Sequence, residues 1–208
     1  MAVERVVTAG TCALDNQEWE VENNVWLVGD ESEVLVVDAA HEAAPIVDAI
    51  GGRRVTAIVL THGHNDHINA ALPLAEATGG PPVYLHPDDL MLWHQVYPAT
   101  NPGRWLEDGL ELAAGGVTLT TVHTPGHSPG GCCFHDAGGG VLFSGDTLFS
   151  GGPGNTSRSF SDFGQIIESI RSGLLVLPPE TAVNTGHGDS TTLGAEAPHL
   201  DEWIERGY

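Results

Sequence analysis

Val55–Ala70 reads VTAIVLTHGHNDHINA. Its opening, VTAIVL, is short, apolar and β-branched, which predicts a buried strand over 55–62. Its end runs on into ALPLAEA, which predicts a helix from Asp66 to Ala77. Between them stand His62, His64, Asp66 and His67. Side chains of these types are costly to bury unless a partner satisfies them. Strand side chains alternate, so His62 and His64 point the same way, and Asp66 and His67 follow at the turn. Such a turn can aim four groups at one point. Imidazole suits zinc, iron and related ions, and carboxylate broadens the choice. A catalytic zinc needs three protein ligands and a water. This turn alone supplies four groups and the downstream sequence offers more, so the reading is a site for two ions.

Three later stretches share the pattern of a polar, metal-capable residue at the end of an apolar run, framed by glycine. They are TVHTPGHSPG with His127, VLFSGDTLF with Asp146 and VNTGHGDST with His187. Small neighbours let backbone approach an ion or substrate closely.

The remaining pattern predicts strands at 24–29, 33–40 and 81–86, helices at 42–50 and 87–96, and a β-rich block from Val117 containing VTLTTVH, GCCFHD and VLFSGD. An amphipathic helix is expected at 162–177, a last strand at 181–188 and a last helix in APHLDEWIERG. The β-rich block breaks a plain βαβ alternation. Two sheets covered by outer helices fit better than one doubly wound sheet. No repeat or linker divides residues 1–208, so one domain is expected. The segment 87–114, with Tyr97, Trp105 and several prolines, is placed to cover the site.

Composition narrows the class. With 41% hydrophobic residues the chain is that of a folded protein. Twenty-eight acidic residues face seven basic ones, all arginine, for a net charge of −21. Such a surface repels nucleic-acid backbones and anionic membranes. The N-terminus is charged where a signal peptide needs an apolar core, so a cytoplasmic protein is expected. Cys12, Cys132 and Cys133 cannot form a closed disulfide set and read as free thiols. The five tryptophans serve core or interface, which leaves a homodimer open.

The order H62-x-H64-x-D66-H67, TPGHSPG, SGDTLF and TGHG resembles the metallo-β-lactamase fold superfamily, and within it the glyoxalase II-like hydrolases. The resemblance implies an α/β fold, an αββα sandwich of two mixed sheets flanked by helices. It implies two divalent ions, zinc first, with iron or manganese as alternatives. His62, His64 and His127 would hold one ion, Asp66, His67 and His187 the other, and Asp146 would bridge them. Asp38, ending VLVVD, would stand behind the ligands and orient them. Asp66 and Asp146 would be the catalytic carboxylates. The implied reaction is attack of a bridging hydroxide on a carbonyl, most simply of a small-molecule thioester, because a thiolate leaves without prior protonation. A lactonase, or a persulfide dioxygenase with a single iron, are the alternatives within the same fold. Asp146 stands where some true β-lactamases carry cysteine, which argues against that branch.

Two departures bear on the substrate. The stretch after His187 has room for one helix, not the helical domain that glutathione-thioester hydrolases use. The carrier is therefore expected to be another low-molecular-weight thiol, with mycothiol as the candidate suggested by a lysine-free, GC-rich-looking composition. After Asp146, TLFSGGPGNTSRSFSDF replaces the family's GCGR-type turn, and Arg158 is expected to bind substrate there.

Overall fold

A computed structural model describes residues 2–207. The chain begins with a long hairpin, β1 (Ala2–Leu14) and β2 (Gln17–Gly29), paired in register from Ala2↔Gly29 to Leu14↔Gln17. Asp15 and Asn16 form its turn with φ of 54° and 59°. Two such residues give the primed turn whose twist matches the flanking strands. The expected strand at 24–29 is only the inner half of β2. The outer half alternates charged and apolar residues and stays largely exposed.

The first sheet continues through β3 (Glu33–Val37), β4 (Arg54–Val59), β5 (Val83–Leu85) and β6 (Arg104–Trp105), in the order β1-β2-β3-β4-β5-β6. Helices α1 (Ala43–Ile50), α2 (Asn65–Ile68), α3 (Ala71–Ala77) and α4 (Leu90–Val96) connect these strands. The second sheet holds β7 (Glu111–Ala114), β8 (Val117–His123), β9 (Cys132–Asp136), β10 (Val141–Gly145), β13 (Ala182–Thr185) and β14 (Thr191–Thr192), in the order β14-β13-β10-β9-β8-β7. A small ribbon, β11 (Leu148–Phe149) with β12 (Gly152–Pro153), follows Asp146. Helices α5 (Phe163–Ser169), α6 (Leu193–Glu196) and α7 (Leu200–Arg206) complete the chain.

Strand parity sorts the apolar residues into three buried clusters. Val34, Val36 and Ile58 pack outward with Ile46, Leu74 and Trp93 of the helices. Leu35, Val37 and Val59 turn inward to meet Leu119, Phe134 and Phe143 of the second sheet. Leu142, Cys133 and Val183 face outward again, against Ile166, Ile170 and Trp203. Three clusters between four layers make the αββα sandwich. The adjacent Cys132 and Cys133 accordingly fall in different clusters, and all three cysteines are free thiols. Among the described residues no helix is long and apolar enough to cross a membrane.

Two expected helices are broken. The one over Asp66–Ala77 divides after Ile68. Asn69 accepts a hydrogen bond from the His41 backbone, and the Tyr97 hydroxyl donates to the carbonyls of Ile68 and Asn69. These contacts satisfy the polar groups that the break exposes. The one over 162–177 ends as α5 at Ser169 and continues only as a wide turn over Ile170–Leu174.

Candidate metal centre

The seven expected ligands come from five separate segments and meet at one end of the sandwich. His62 and His64 leave the end of β4, Asp66 and His67 ride on α2, and His127 lies in the loop from β8 to β9. Asp146 follows β10, and His187 follows β13. Nε2 of His62 lies 2.9 Å from Nδ1 of His64, which lies 3.0 Å from Nε2 of His127. On the other side, Nε2 of His67 and of His187 are 3.2 Å apart, and Oδ2 of Asp66 is 3.5 and 3.4 Å from them. Asp146 reaches both groups. Its Oδ2 is 3.6 Å from His127 Nε2 and 3.4 Å from His187 Nε2, and its Oδ1 is 3.4 Å from His67 Nε2.

Glycine makes that approach possible. A Cβ on Gly186 would collide with Oδ1 of Asp146 and come within 2.8 Å of His67 Cε1.

Four of the five histidines are held from behind. His62 Nδ1 meets Thr61 Oγ1 at 3.1 Å and His67 Nδ1 meets Asp38 Oδ2 at 2.9 Å. His127 Nδ1 meets the Asn155 carbonyl at 2.9 Å and His187 Nδ1 the Glu22 carbonyl at 2.7 Å. A ring N–H donated outward leaves the opposite nitrogen's lone pair pointing in, which is the usual support of a metal-binding imidazole. Asp38 sits in left-handed backbone, φ 63°, and also accepts from the Thr61 backbone N–H at 2.8 Å and the Thr61 hydroxyl. It stands where the sequence placed it, behind the ligands.

The donor set fits cations. Asp66 Oδ1 and Asp146 Oδ1 are buried side-chain atoms with no hydrogen-bond partner. Tetrahedral ligands about 2.0–2.1 Å from a zinc ion stand roughly 3.3 Å from one another. The inward-pointing atoms of each group are spaced close to that. Electrostatics agrees. Burial and then the surrounding imidazoles drive His62 well below the usual range, and burial with His127 drives His64 to about 3. The other side is reversed. Burial opposes charge on His67 and His187, but Asp146 and Asp66 outweigh it and lift them to about 9 and about 11. Burial likewise opposes charge on Asp66 and Asp146, yet these histidines hold both below the ordinary carboxylate range. Without cations, protons on His67 and His187 balance the two carboxylates.

Three positioning residues carry no motif. Asn23 donates from Nδ2 to Asp66 Oδ2 at 3.0 Å and lies 3.2 and 3.5 Å from His67 and His187 Nε2. His41 Nε2 holds Asn23 Oδ1 at 2.7 Å, which aims the amide nitrogen inward. Asp89, fully buried, accepts from the Gly63 and Gly130 backbone and from the Ser128 hydroxyl at 2.6–2.7 Å, tying the His64 loop to the His127 loop. The Asn23-Asn24 pair was the one available signal, since asparagine is depleted inside strands.

A cavity of about 270 Å³ opens over the centre, lined by Cys12, Leu14, Trp19 and Val21 beside the ligands, Asn155 and Arg158. Its cover is the N-terminal hairpin. No residue of the segment 87–114, expected as the lid, lines it. That segment is instead committed to both sheets and the core, through α4, β6, β7 and buried Leu106. Arg158 lies over the Trp19 ring, 4.2 Å from its centroid, with Nη1 donating to Gln17 Oε1 at 2.8 Å.

Residues 19–187 match the family described as the metallo-beta-lactamase superfamily. A relative in Haemophilus influenzae, named hydroxyacylglutathione hydrolase GloC, is 32% identical over 181 residues, covering 80% of this chain and 85% of that protein. A solved structure of TTHA1623 in a di-iron-bound form is 38% identical, with a TM-score of 0.76, covering 85% of this chain and 93% of that one. The structure of the BLEG-1 B3 metallo-beta-lactamase is 29% identical, with a TM-score of 0.78, covering 93% and 98%.

Proposed function

This chain belongs to the metallo-beta-lactamase superfamily, and from that premise we propose that it is a thioester hydrolase working with two divalent ions. The observation that carries the two-ion reading is the reach of Asp146, whose one oxygen lies 3.4–3.6 Å from a histidine of each group. His62, His64 and His127 would hold one ion, Asp66, His67 and His187 the other, with Asp146 common to both. Ions held there supply Lewis acidity: they bring the pKa of water near neutrality and polarise a carbonyl.

The chain's own residues do the rest. The Asn23 amide occupies Asp66 Oδ2 and leaves the unpartnered Oδ1 to accept a proton from the attacking water. Leu14, Trp19 and Val21 give the acyl group an apolar wall and keep bulk water off it. Arg158, stiffened by Trp19 and Gln17, is the only cationic side chain among the cavity's lining residues besides its histidines, and suits a carboxylate of the substrate. A cavity of about 270 Å³ holds an acyl group but not a whole conjugated thiol, so the carrier extends into solvent.

The leaving group follows from the acids present. Asp66 and Asp146 are held as carboxylates, and burial with the nearby carboxylates pushes the Cys12 thiol well above its ordinary value. An amide nitrogen must be protonated as it leaves, whereas a thiolate departs unaided. The choice of thiol is not decided by chain length, because the GloC relative matched over 85% of its length bears the glutathione name. Glutathione and mycothiol conjugates both belong in the assay.

Hydrolysis of S-lactoyl conjugates of both thiols, beside lactones and a β-lactam panel, tests the proposal. The expected result is a kcat/KM for one thioester at least tenfold above any lactone or β-lactam. A higher rate on a lactone or β-lactam, or a single iron per chain with oxygen consumed on a persulfide, would overturn it.

A further inference from the structure

Asn65 stands between two expected ligands, His64 and Asp66, and its side chain points away from both towards the hairpin. It opens α2, where its carbonyl accepts from the Asn69 N–H at 2.8 Å, so the helix fixes where the side chain starts. Its Oδ1 accepts from the Ala13 backbone N–H at 2.7 Å, and its Nδ2 donates to the Thr11 carbonyl at 2.8 Å. An amide paired in this way with residues two apart covers the open edge of β1 as a neighbouring strand would. From this clamp we propose that Asn65 is a positioning residue for substrate. It holds β1 at a set distance from the metal centre and so determines which acyl groups the cavity selects. The inference rests on reading that cavity as the acyl site.

Strand parity makes the link. Thr11 and Ala13 turn their backbone groups to the outer edge of β1, while Cys12 and Leu14 line the cavity. The pair Cys12↔Trp19 carries the constraint to β2, whose Trp19 and Val21 line the same cavity. His64 and Asp66 line it too. Asn65 therefore ties the residues on either side of Cys12 to the turn that carries both of these ligands.

Core packing does not fix this wall. Cys12, Leu14, Trp19 and Val21 lie outside all three buried clusters. The hairpin is held by local contacts along its length instead. Gly10 sits so tightly on His41 that a Cβ would collide with the ring. At the tip, Asp15 accepts from the Ser159 N–H at 3.0 Å and Gln17 from Arg158 at 2.8 Å. Asn65 holds the stretch between these anchors, the part that faces the ligands. The hydrogen bonds it makes are exposed or half-buried, so water can replace them at little cost in folding. Removing the amide should loosen the wall without unfolding the protein.

The test uses straight-chain hydroxamates, from acetohydroxamate to octanohydroxamate, whose head group binds zinc whatever the reaction. They are titrated by calorimetry into the zinc-loaded wild type, Asn65→Ala and Asn65→Asp. Asn65→Asp keeps the acceptor for Ala13 and loses the donor to Thr11. The wild-type series should tighten about fourfold per methylene until the cavity is full, the worth of a buried CH2. In Asn65→Ala the gain should fall to about twofold per methylene or less, with acetohydroxamate affinity and zinc per chain unchanged, and Asn65→Asp should lie between. Amide exchange at Ala13 should quicken about tenfold in Asn65→Ala, while exchange in β4 stays as it was. Faster exchange with an unchanged chain-length series would make Asn65 a cap on a strand edge and overturn the proposal. A wild type that ignores chain length would overturn it as well. So would an equal loss of affinity at every length, or a loss of zinc, since either places the effect on the ions. A wild type that sorts hydroxamates by length yet cleaves no thioester would overturn the thioester reading and leave this one standing.

Discussion

Nδ1 of His67 lies 2.9 Å from Oδ2 of Asp38, with both side chains almost wholly buried. Asp38 also binds the Thr61 backbone and hydroxyl, so one carboxylate sets both the strand end that launches His62 and the ring of His67. Replacing it by alanine leaves the Thr61 N–H and the His67 N–H buried without partners, at about 1–3 kcal/mol each. Asp38→Ala should therefore melt several degrees lower and bind metal roughly 10–100-fold more weakly. Asp38→Asn keeps the shape and should recover most of the stability but not the affinity. Chelator competition read against thermal unfolding separates the two.

Asp146 is the residue common to both groups of ligands, and its substitution tests whether the ions share it. Asp146→Asn removes the charge that lies 3.4–3.6 Å from His127 and His187. We expect one of two ions to be lost or to bind at least 100-fold more weakly, with activity falling by a factor on the order of 10³, the larger effects seen when a transition-state contact is removed. Two ions retained at wild-type affinity in Asp146→Asn would show that the carboxylate does not bridge.

The convergence of these histidines and aspartates was legible in the sequence because their segments end apolar runs or sit among glycines, so the one-dimensional pattern already marks strand ends. The layers were legible through the order of the motifs. The hairpin of β1 and β2 was not, because its outer half alternates Glu18, Glu20 and Glu22 with half-buried apolar residues and so reads as a charged, polar N-terminus. Its function as the cavity wall is set by where it folds back, not by any local signal. Asp89 was hidden for a similar reason. Its partners are 26 and 41 residues away in sequence, and nothing in PDD distinguishes it from its exposed neighbour Asp88. His41 carries no local signal either, because its tie to Asp66 runs through Asn23.

The charge balance of the centre fixes the sign of a pH effect. His67 and His187 are lifted to about 9 and about 11 in the metal-free fold, above the usual 6.5. A raised histidine stabilises the fold fully below its unfolded pKa and loses that contribution as pH rises through the folded one. Chelated protein should therefore lose thermal stability between about pH 6.5 and pH 9 and beyond. The metal-loaded protein should not, because the ions replace the protons. Loading zinc at pH 7.5 should release close to two protons per chain, measurable by calorimetry in buffers of different ionisation enthalpy. Release of none would mean that these histidines were already neutral.

Arg158 and Trp19 make the last prediction, about the substrate rather than the ions. The guanidinium lies over the indole and is tethered through Gln17, so its direction is set before a ligand arrives. A preorganised fork loses little entropy on binding a carboxylate. If Arg158 binds a remote charge on the substrate, Arg158→Ala should raise KM about tenfold and leave kcat nearly unchanged, the signature of binding shared by ground and transition states. Arg158→Lys should recover only part of the loss, since an ammonium neither stacks nor forks. Trp19→Ala should mimic Arg158→Ala in part, because it frees the guanidinium, and should also weaken acyl groups that rest on the apolar wall. Substrates without a carboxylate should respond to Trp19→Ala but not to Arg158→Ala, and an equal response to both would remove Arg158 from substrate recognition.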